Sequence, residues 1–162
     1  MSTAIDTAKV TQRRQLHFNG LDDILADVDH LANSREIKPL GNWSPGQIFQ
    51  HLATVMNKSI DGFDTHLPWP LRFGLRLLFK NRFLNKPMSA GFKLPKKTAE
   101  ELVCPSATVE DGIRNLRQAI HRLQTETKRS PNGAIGPLTG EEWDQLHCRH
   151  CELHLSFLIP VP

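Results

Sequence analysis

The sequence predicts an all-α protein: a four-helix bundle with a long basic crossover insertion between helices 2 and 3. Three observations predict it. Four stretches carry apolar residues at helical spacing. Proline, glycine and asparagine clusters separate them. No stretch shows a convincing strand pattern. The chain has 162 residues, 39% hydrophobic and 23% charged, enough for one domain with a sizeable core. A single domain over residues 1–162 is therefore expected, with 1–15 extended or disordered.

The first helix should run from about Asn19 or Gly20 to Asn33, with Leu21, Ile24, Leu25, Val28 and Leu31 as its apolar stripe. Asn33-Ser34 and Pro39-Leu-Gly41 break it. Trp43-Ser44-Pro45 starts the second: Ser44 suits the N-cap and Pro45 the first helical position. That helix should reach about Asp64, with Ile48, His51, Leu52, Val55, Ser59 and Gly62 facing inward. Pro68-Trp-Pro70 then interrupts. Leu71 to Leu84 reads as one or two short helices, and Lys86 to Lys97 as irregular chain. The third long helix should span Val109 to about Arg129, capped by Thr108, with Ile113, Leu116, Ala119, Ile120 and Leu123 inward. Ser130-Pro-Asn-Gly133 stops it. Thr139-Gly-Glu-Glu142 is a capping-box pattern opening the last helix.

Bulk composition narrows the function classes. No apolar run approaches the roughly 18 residues of a membrane span. The polar first 15 residues lack the apolar core of a signal peptide. Three cysteines, Cys104, Cys148 and Cys151, make no disulfide framework, so a cytoplasmic location with reduced thiols is expected. Net charge is only +3, but no acidic residue falls between Asp64 and Glu100. That stretch holds Arg72, Arg76, Lys80, Arg82, Lys86, Lys93, Lys96 and Lys97. Residues 68–97 are expected to form a partly helical flap over one end of the bundle, with Arg72, Arg76 and Lys80 on one face. The flap could meet an anionic partner, or simply be a solvated face.

The histidines carry the chemistry. His147, His150 and His154 fall within eight residues of Gln145-Leu-His-Cys-Arg-His-Cys-Glu-Leu-His-Leu-Ser-Phe-Leu158. The i,i+4 spacing of His150 and His154 puts both rings on one helical face, one turn apart. Trp143, Leu146, His147, Phe157 and Leu158 share that face. A metal needs a third ligand, and His51 sits mid-helix on the inward face of the second helix, within about 60° of Ile48 and Val55. An i,i+4 pair facing one histidine on another helix leaves positions open to water or substrate. His147 lies about 10 Å along the axis from His154, too far to share its ion. Spacing alone leaves His147 with His150, i,i+3, open as the pair instead.

Trp43-Ser-Pro-Gly-Gln-Ile-Phe-Gln-His51-Leu-Ala53, followed far downstream by His150-x-x-x-His154, resembles the DinB-like superfamily of metal-binding four-helix bundles. That superfamily includes bacillithiol S-transferases, mycothiol-dependent isomerases and many uncharacterised proteins taken for hydrolases. The stretch 141–158 is similar to an uncharacterised subgroup of it, and the resemblance covers about Arg14 to Phe157. It implies ligands at His51, His150 and His154 and a divalent ion, often nickel or zinc. It also implies an enzyme of hydrolase or thiol S-transferase type, which could use a low-molecular-weight thiol. Many members follow the last histidine with Arg-Gly-Gln; here Leu155-Ser-Phe157 stands in that place. A role for an arginine or glutamine there does not carry over. The insertion at 68–97 is also unlike the shortest members.

Other residues read blandly. Cys148-Arg-His-Cys151 is formally a C-x-x-C, but it lies two turns inside a helix, so ordinary buried thiols are expected. Cys151, at the edge of the inward face, is the better placed of the two for a functional role. His17, His30, His66 and His121 have no helical partner histidine and read as surface or packing residues. Trp43 and Trp143 should pack at the bundle ends, or Trp43 could wall a pocket. Glu152 points away from His150. Gln47, Asn57 and Ser59 could touch the site. Two function classes remain. One is a metal-dependent enzyme acting on a small molecule, which could be anionic. The other is a non-catalytic metal-binding module, or one docking Leu71 to Leu84 on a membrane surface or protein partner. No nucleic-acid partner is expected, and a homodimer is left open.

Overall fold

Ser44 and Pro45 start a helix in the way their chemistry dictates. The Ser44 hydroxyl accepts from Gln47 N–H, the Gln47 side chain accepts from Ser44 N–H, and Pro45 occupies the first turn. Thr139 and Glu142 make the same reciprocal box at the last helix, and the Thr108 hydroxyl accepts from Asp111 N–H. The computed structural model describes residues 4–91, 95–103 and 105–162; Lys93 of the basic run and Cys104 lie outside them.

The described chain is mostly helical. A short 3-10 turn, Thr7–Lys9, precedes α1 (Leu21–Ala32), β1 (Glu36–Pro39) and α2 (Pro45–Asp61). Then come α3 (Trp69–Asn85), α4 (Lys96–Leu102), α5 (Val109–Thr125), α6 (Gly140–Leu155) and β2 (Leu158–Val161). The most extensive helix contact is α2 with α5. α1 lies against α5 and α6, α2 also meets α6, and α3 lies along α6. The core between them is built from Ile24, Val28 and Leu31 of α1, Phe49, Leu52 and Met56 of α2, and Leu116, Ala119 and Ile120 of α5. Each large aliphatic side chain so buried stabilises the fold by about 1.5–3 kcal/mol relative to exposure.

The N-terminal ends of α2 and α5 touch backbone to backbone. A Cβ on Gly46 would stand 2.1 Å from the Ala107 carbonyl oxygen, and one on Gly112 would stand 2.8 Å from that of Gly46. Glycine is required at this crossing because a methyl group has no room.

Several expectations are corrected. β1 and β2 form a two-stranded antiparallel sheet, with Glu36 opposite Val161, Ile37 opposite Pro160, Lys38 opposite Ile159 and Pro39 opposite Leu158. Four-residue strands are too short to show a period, and Pro39 and Pro160 read locally as breakers. In a two-stranded sheet both strands are edges, where proline is tolerated. Phe157 and Leu158 thus lie beyond α6, although both are buried. α4 begins at Lys96, inside the Lys86 to Lys97 stretch expected to be irregular chain, and α3 is one continuous helix. α2 and α5 end earlier than expected, at Asp61 and Thr125. Phe49 and Met56 join the α2 core, while Val55 is only half-buried. α6 is buried around much of its circumference, with Cys148, Arg149 and Glu152 also inside. Among the described residues no helix is long and apolar enough to cross a membrane.

Candidate metal centre

α2 and α6 bring three imidazoles together. His51, mid-way along α2, is buried, and its Nδ1 lies 2.9 Å from the Leu102 carbonyl oxygen at the end of α4. A carbonyl only accepts, so Nδ1 carries the proton and Nε2 carries the lone pair. That Nε2 lies 3.1 Å from His150 Nε2. The ring centroids are 5.0 Å apart for His51–His150, 4.7 Å for His51–His154 and 4.6 Å for His150–His154. One nitrogen from each ring can be chosen so that all three lie within 4.8 Å of one another, a group that could hold a metal ion. Two ligands at about 2.0–2.1 Å from one ion are at most about 4.2 Å apart. The 3.1 Å pair is inside that limit, and no separation in the group is more than 4.8 Å.

Electrostatics favour the neutral rings that a metal requires. Burial lowers the His51 pKa, partly opposed by its hydrogen bond to Leu102. Burial pushes His150 and His154 well below the ordinary imidazole value. Proximity to His154, His51 and His147 adds to the fall at His150, and proximity to His51 adds to it at His154. Trp43, just before α2, walls the cluster. Its ring stacks on His154 at 5.5 Å between centroids, with planes 3° apart, and meets His51 edge-on at 5.0 Å.

Residues 10–161 match the model of a family described as a protein of unknown function, DUF1569. The chain belongs to this family. No curated protein and no solved structure matches it. The matched stretch contains every element of the histidine cluster, so the cluster is part of the DUF1569 region rather than an appendage to it.

Other residues of this DUF1569 chain fall in different places. His147 is buried and engaged away from the three rings: its Nε2 lies 3.0 Å from the Ser59 hydroxyl, and its ring stacks on Trp143 at 5.2 Å. Ser59 Oγ itself donates to Met56 O at 2.6 Å, so His147 Nε2–H is the donor to Ser59. Burial lowers the His147 pKa to about 3, helped by the Arg129 charge. Glu152 accepts from Phe18 N–H at 2.7 Å and pairs with Arg149 at 2.8 Å, which ties the N-terminal segment to α6. Cys148 and Cys151 are free, buried thiols; burial raises the first to about 11 and the second well above its ordinary value. Gln47 is used in the α2 cap and donates to Pro105 O, while Asn57 accepts from Arg122. Trp143 is fully buried rather than at a bundle end, its Nε1–H donating to Ser130 O. His17, His30, His66 and His121 are exposed.

The basic face of α3 is used differently from expectation. Arg76 donates to the Ile135 and Pro137 carbonyls, and Lys80 forms an ion pair with Glu142. Both therefore dock α3 on the start of α6. His150 is eight residues further on, about 12 Å along that helix. Arg76 and Lys80 are partnered there, so neither is free to hold an anionic ligand at the histidines. Leu102 and α4 were missed altogether. Their signal was the run of helix formers Thr98-Ala-Glu-Glu-Leu102 between Pro95 and Pro105.

Proposed function

We propose that this chain is a single DinB-like four-helix-bundle domain built on α1, α2, α5 and α6, and a metal-dependent enzyme. In this reading His51, His150 and His154 hold one divalent ion, nickel or zinc, and the substrate is a small molecule. The reaction type is that of a hydrolase or thiol S-transferase, working in the cytoplasm. One observation carries the proposal. The His51 lone pair, fixed by the Leu102 carbonyl, points at the Nε2 of the half-buried His150 3.1 Å away, with a third ring beside both. Either His150 donates its own Nε2 proton to that lone pair or both nitrogens turn lone pairs to one cation, and the third ring beside them favours the cation.

A divalent ion held there would act as a Lewis acid, lowering the pKa of a coordinated water or thiol. The chain's own residues do the rest. The Leu102 carbonyl orients His51 and raises its basicity, the usual office of a carbonyl behind a ligand histidine. Trp43 holds the His154 ring by stacking and keeps water from that side. Three neutral ligands leave the ion's full positive charge in place, which suits a hydroxide or thiolate partner. Glu152, the nearest α6 carboxylate in sequence, is bound to Arg149 and Phe18 and is not a base for the site.

Metal analysis of purified protein tests the ligand set. Wild type should carry about one divalent ion per chain, and the His51→Ala, His150→Ala double variant should carry almost none. Equal metal content in the two would refute the assignment.

A further inference from the structure

α3 presents an apolar surface that the rest of the molecule leaves uncovered. Trp69, Leu71, Phe73, Leu77, Leu78 and Phe79 are all exposed, Trp69 at 68%, Leu77 at 69% and Leu78 at 75%. All six fall within the first three turns of the helix. At 100° per residue Trp69, Phe73 and Leu77 share the side on which Arg76, Lys80 and the buried Leu84 hold the helix to the body of the protein, while Leu71, Leu78 and Phe79 lie away from it. The next turn carries exposed Arg82, and exposed Lys86 caps the helix. A helix that is apolar on both sides has one partner inside the fold and needs a second outside it.

We propose that the outward face of α3, formed by Leu71, Leu78 and Phe79, lies on the surface of an anionic lipid bilayer, independently of the metal site. Charge selects the occupant. No carboxylate occurs between Asp64 and Glu100, while Arg82 and Lys86 flank the apolar face and Lys96 and Lys97 follow on α4. Anionic headgroups complement that pattern, and juxtaposed lysines and arginines draw a helix to such a surface. A two-fold contact with a second copy would bring this face against itself, cations against a face with no carboxylate to receive them. Trp69 and Phe73, stacked at 5.8 Å and exposed beside that face at the start of the helix, suit the boundary between headgroup and acyl chain. The helix is 17 residues long, so it would lie in the interface rather than cross it.

Flotation of the whole protein with phosphatidylcholine vesicles, with and without phosphatidylserine, tests this. Wild type should float with the phosphatidylserine vesicles, and less so at high salt. The Leu71→Asp, Leu78→Asp variant changes only exposed positions and should stay in solution with an unchanged circular dichroism spectrum. Arg82→Glu with Lys86→Glu should weaken flotation at least about tenfold. On anionic vesicles the fluorescence should shift to the blue, and the shift should vanish in Trp69→Phe. Failure of wild type to float with either vesicle overturns the proposal, as does equal flotation with and without phosphatidylserine. A concentration-dependent dimer abolished by Leu71→Asp, Leu78→Asp, without vesicle binding, assigns the face to a second copy instead.

Discussion

At the residue scale, the histidines of α6 divide by what each ring meets across the helix interface. His150 and His154 meet His51, whereas His147, one turn earlier, meets the Ser59 hydroxyl and the Trp143 ring. Position along α2 decides this, since Ser59 is two turns beyond His51 and faces the earlier part of antiparallel α6. His147 is thus a buried structural donor. Replacing it with Ala removes a packed ring and leaves a cavity, at a cost of about 2–4 kcal/mol. His147→Ala should therefore lower the unfolding midpoint while leaving the metal content of the folded protein near that of wild type. A His147→Ala protein that is folded but metal-free would place His147 among the ligands. The i,i+3 alternative was open in the sequence because spacing places side chains on a face without saying what stands opposite.

At the element scale, the α2–α5 crossing positions the site, because it sets where His51 sits relative to α6. Gly46 and Gly112 allow the close approach. Gly46→Ala puts a methyl group into the Ala107 carbonyl and should cost at least about 3 kcal/mol. Gly140, at the start of α6, has nothing within 4 Å of a built Cβ. Gly140→Ala should be neutral or stabilise by up to about 1 kcal/mol, through the loss of freedom in the unfolded chain. Chemical denaturation of the two variants checks the contrast; equal stability would mean that the helices do not cross so closely. The helix starts were legible in sequence because caps are local: Ser44 with Gln47 and Thr139 with Glu142 each satisfy donors three residues away. The helix ends were less legible, because α2 and α5 stop at Asp61 and Thr125 without a proline at that point.

At the scale of the whole molecule, the buried histidines make stability depend on pH. His51, His147, His150 and His154 all have depressed pKa values in the fold, chiefly through burial, and ordinary values near 6.5 in the unfolded chain. Above 6.5 neither state takes up a proton, so the stability is fully present. As pH falls below 6.5 the unfolded chain binds protons that the native state refuses, and stability is lost, for His147 down to about 3. The slope is about 1.4 kcal/mol per pH unit for each histidine kept neutral. Carboxylates titrate mainly near pH 4, so the window from 6.5 to 5 belongs to the histidines. Metal-free protein should lose thermal stability steeply across that window. A midpoint that does not move between pH 7 and pH 5 would contradict neutral histidines in the fold. At neutral pH, a divalent ion at about a hundred times its Kd should add about 2.7 kcal/mol, which a chelator should remove.

The sequence by itself determined the helical class, the starts of α2, α5 and α6, and the shared helical face of His150 and His154. Those features rest on local chemistry: a cap three residues from its partner, an apolar stripe every three or four residues, two rings one turn apart. Tertiary structure alone decided the rest. The pairing of Glu36–Pro39 with Leu158–Val161 joins segments more than a hundred residues apart, so no local pattern announces it. The Leu102 carbonyl behind His51 and the Trp43 ring against His154 depend on where α4 and the α2 entry come to lie. Arg76 and Lys80 read as part of a ligand surface or of a solvated face until Glu142 and the Ile135 and Pro137 carbonyls supplied partners. A side chain's type and helical face are written in the chain near it. Its partner is supplied by the element packed opposite, and only the folded core decides which element that is.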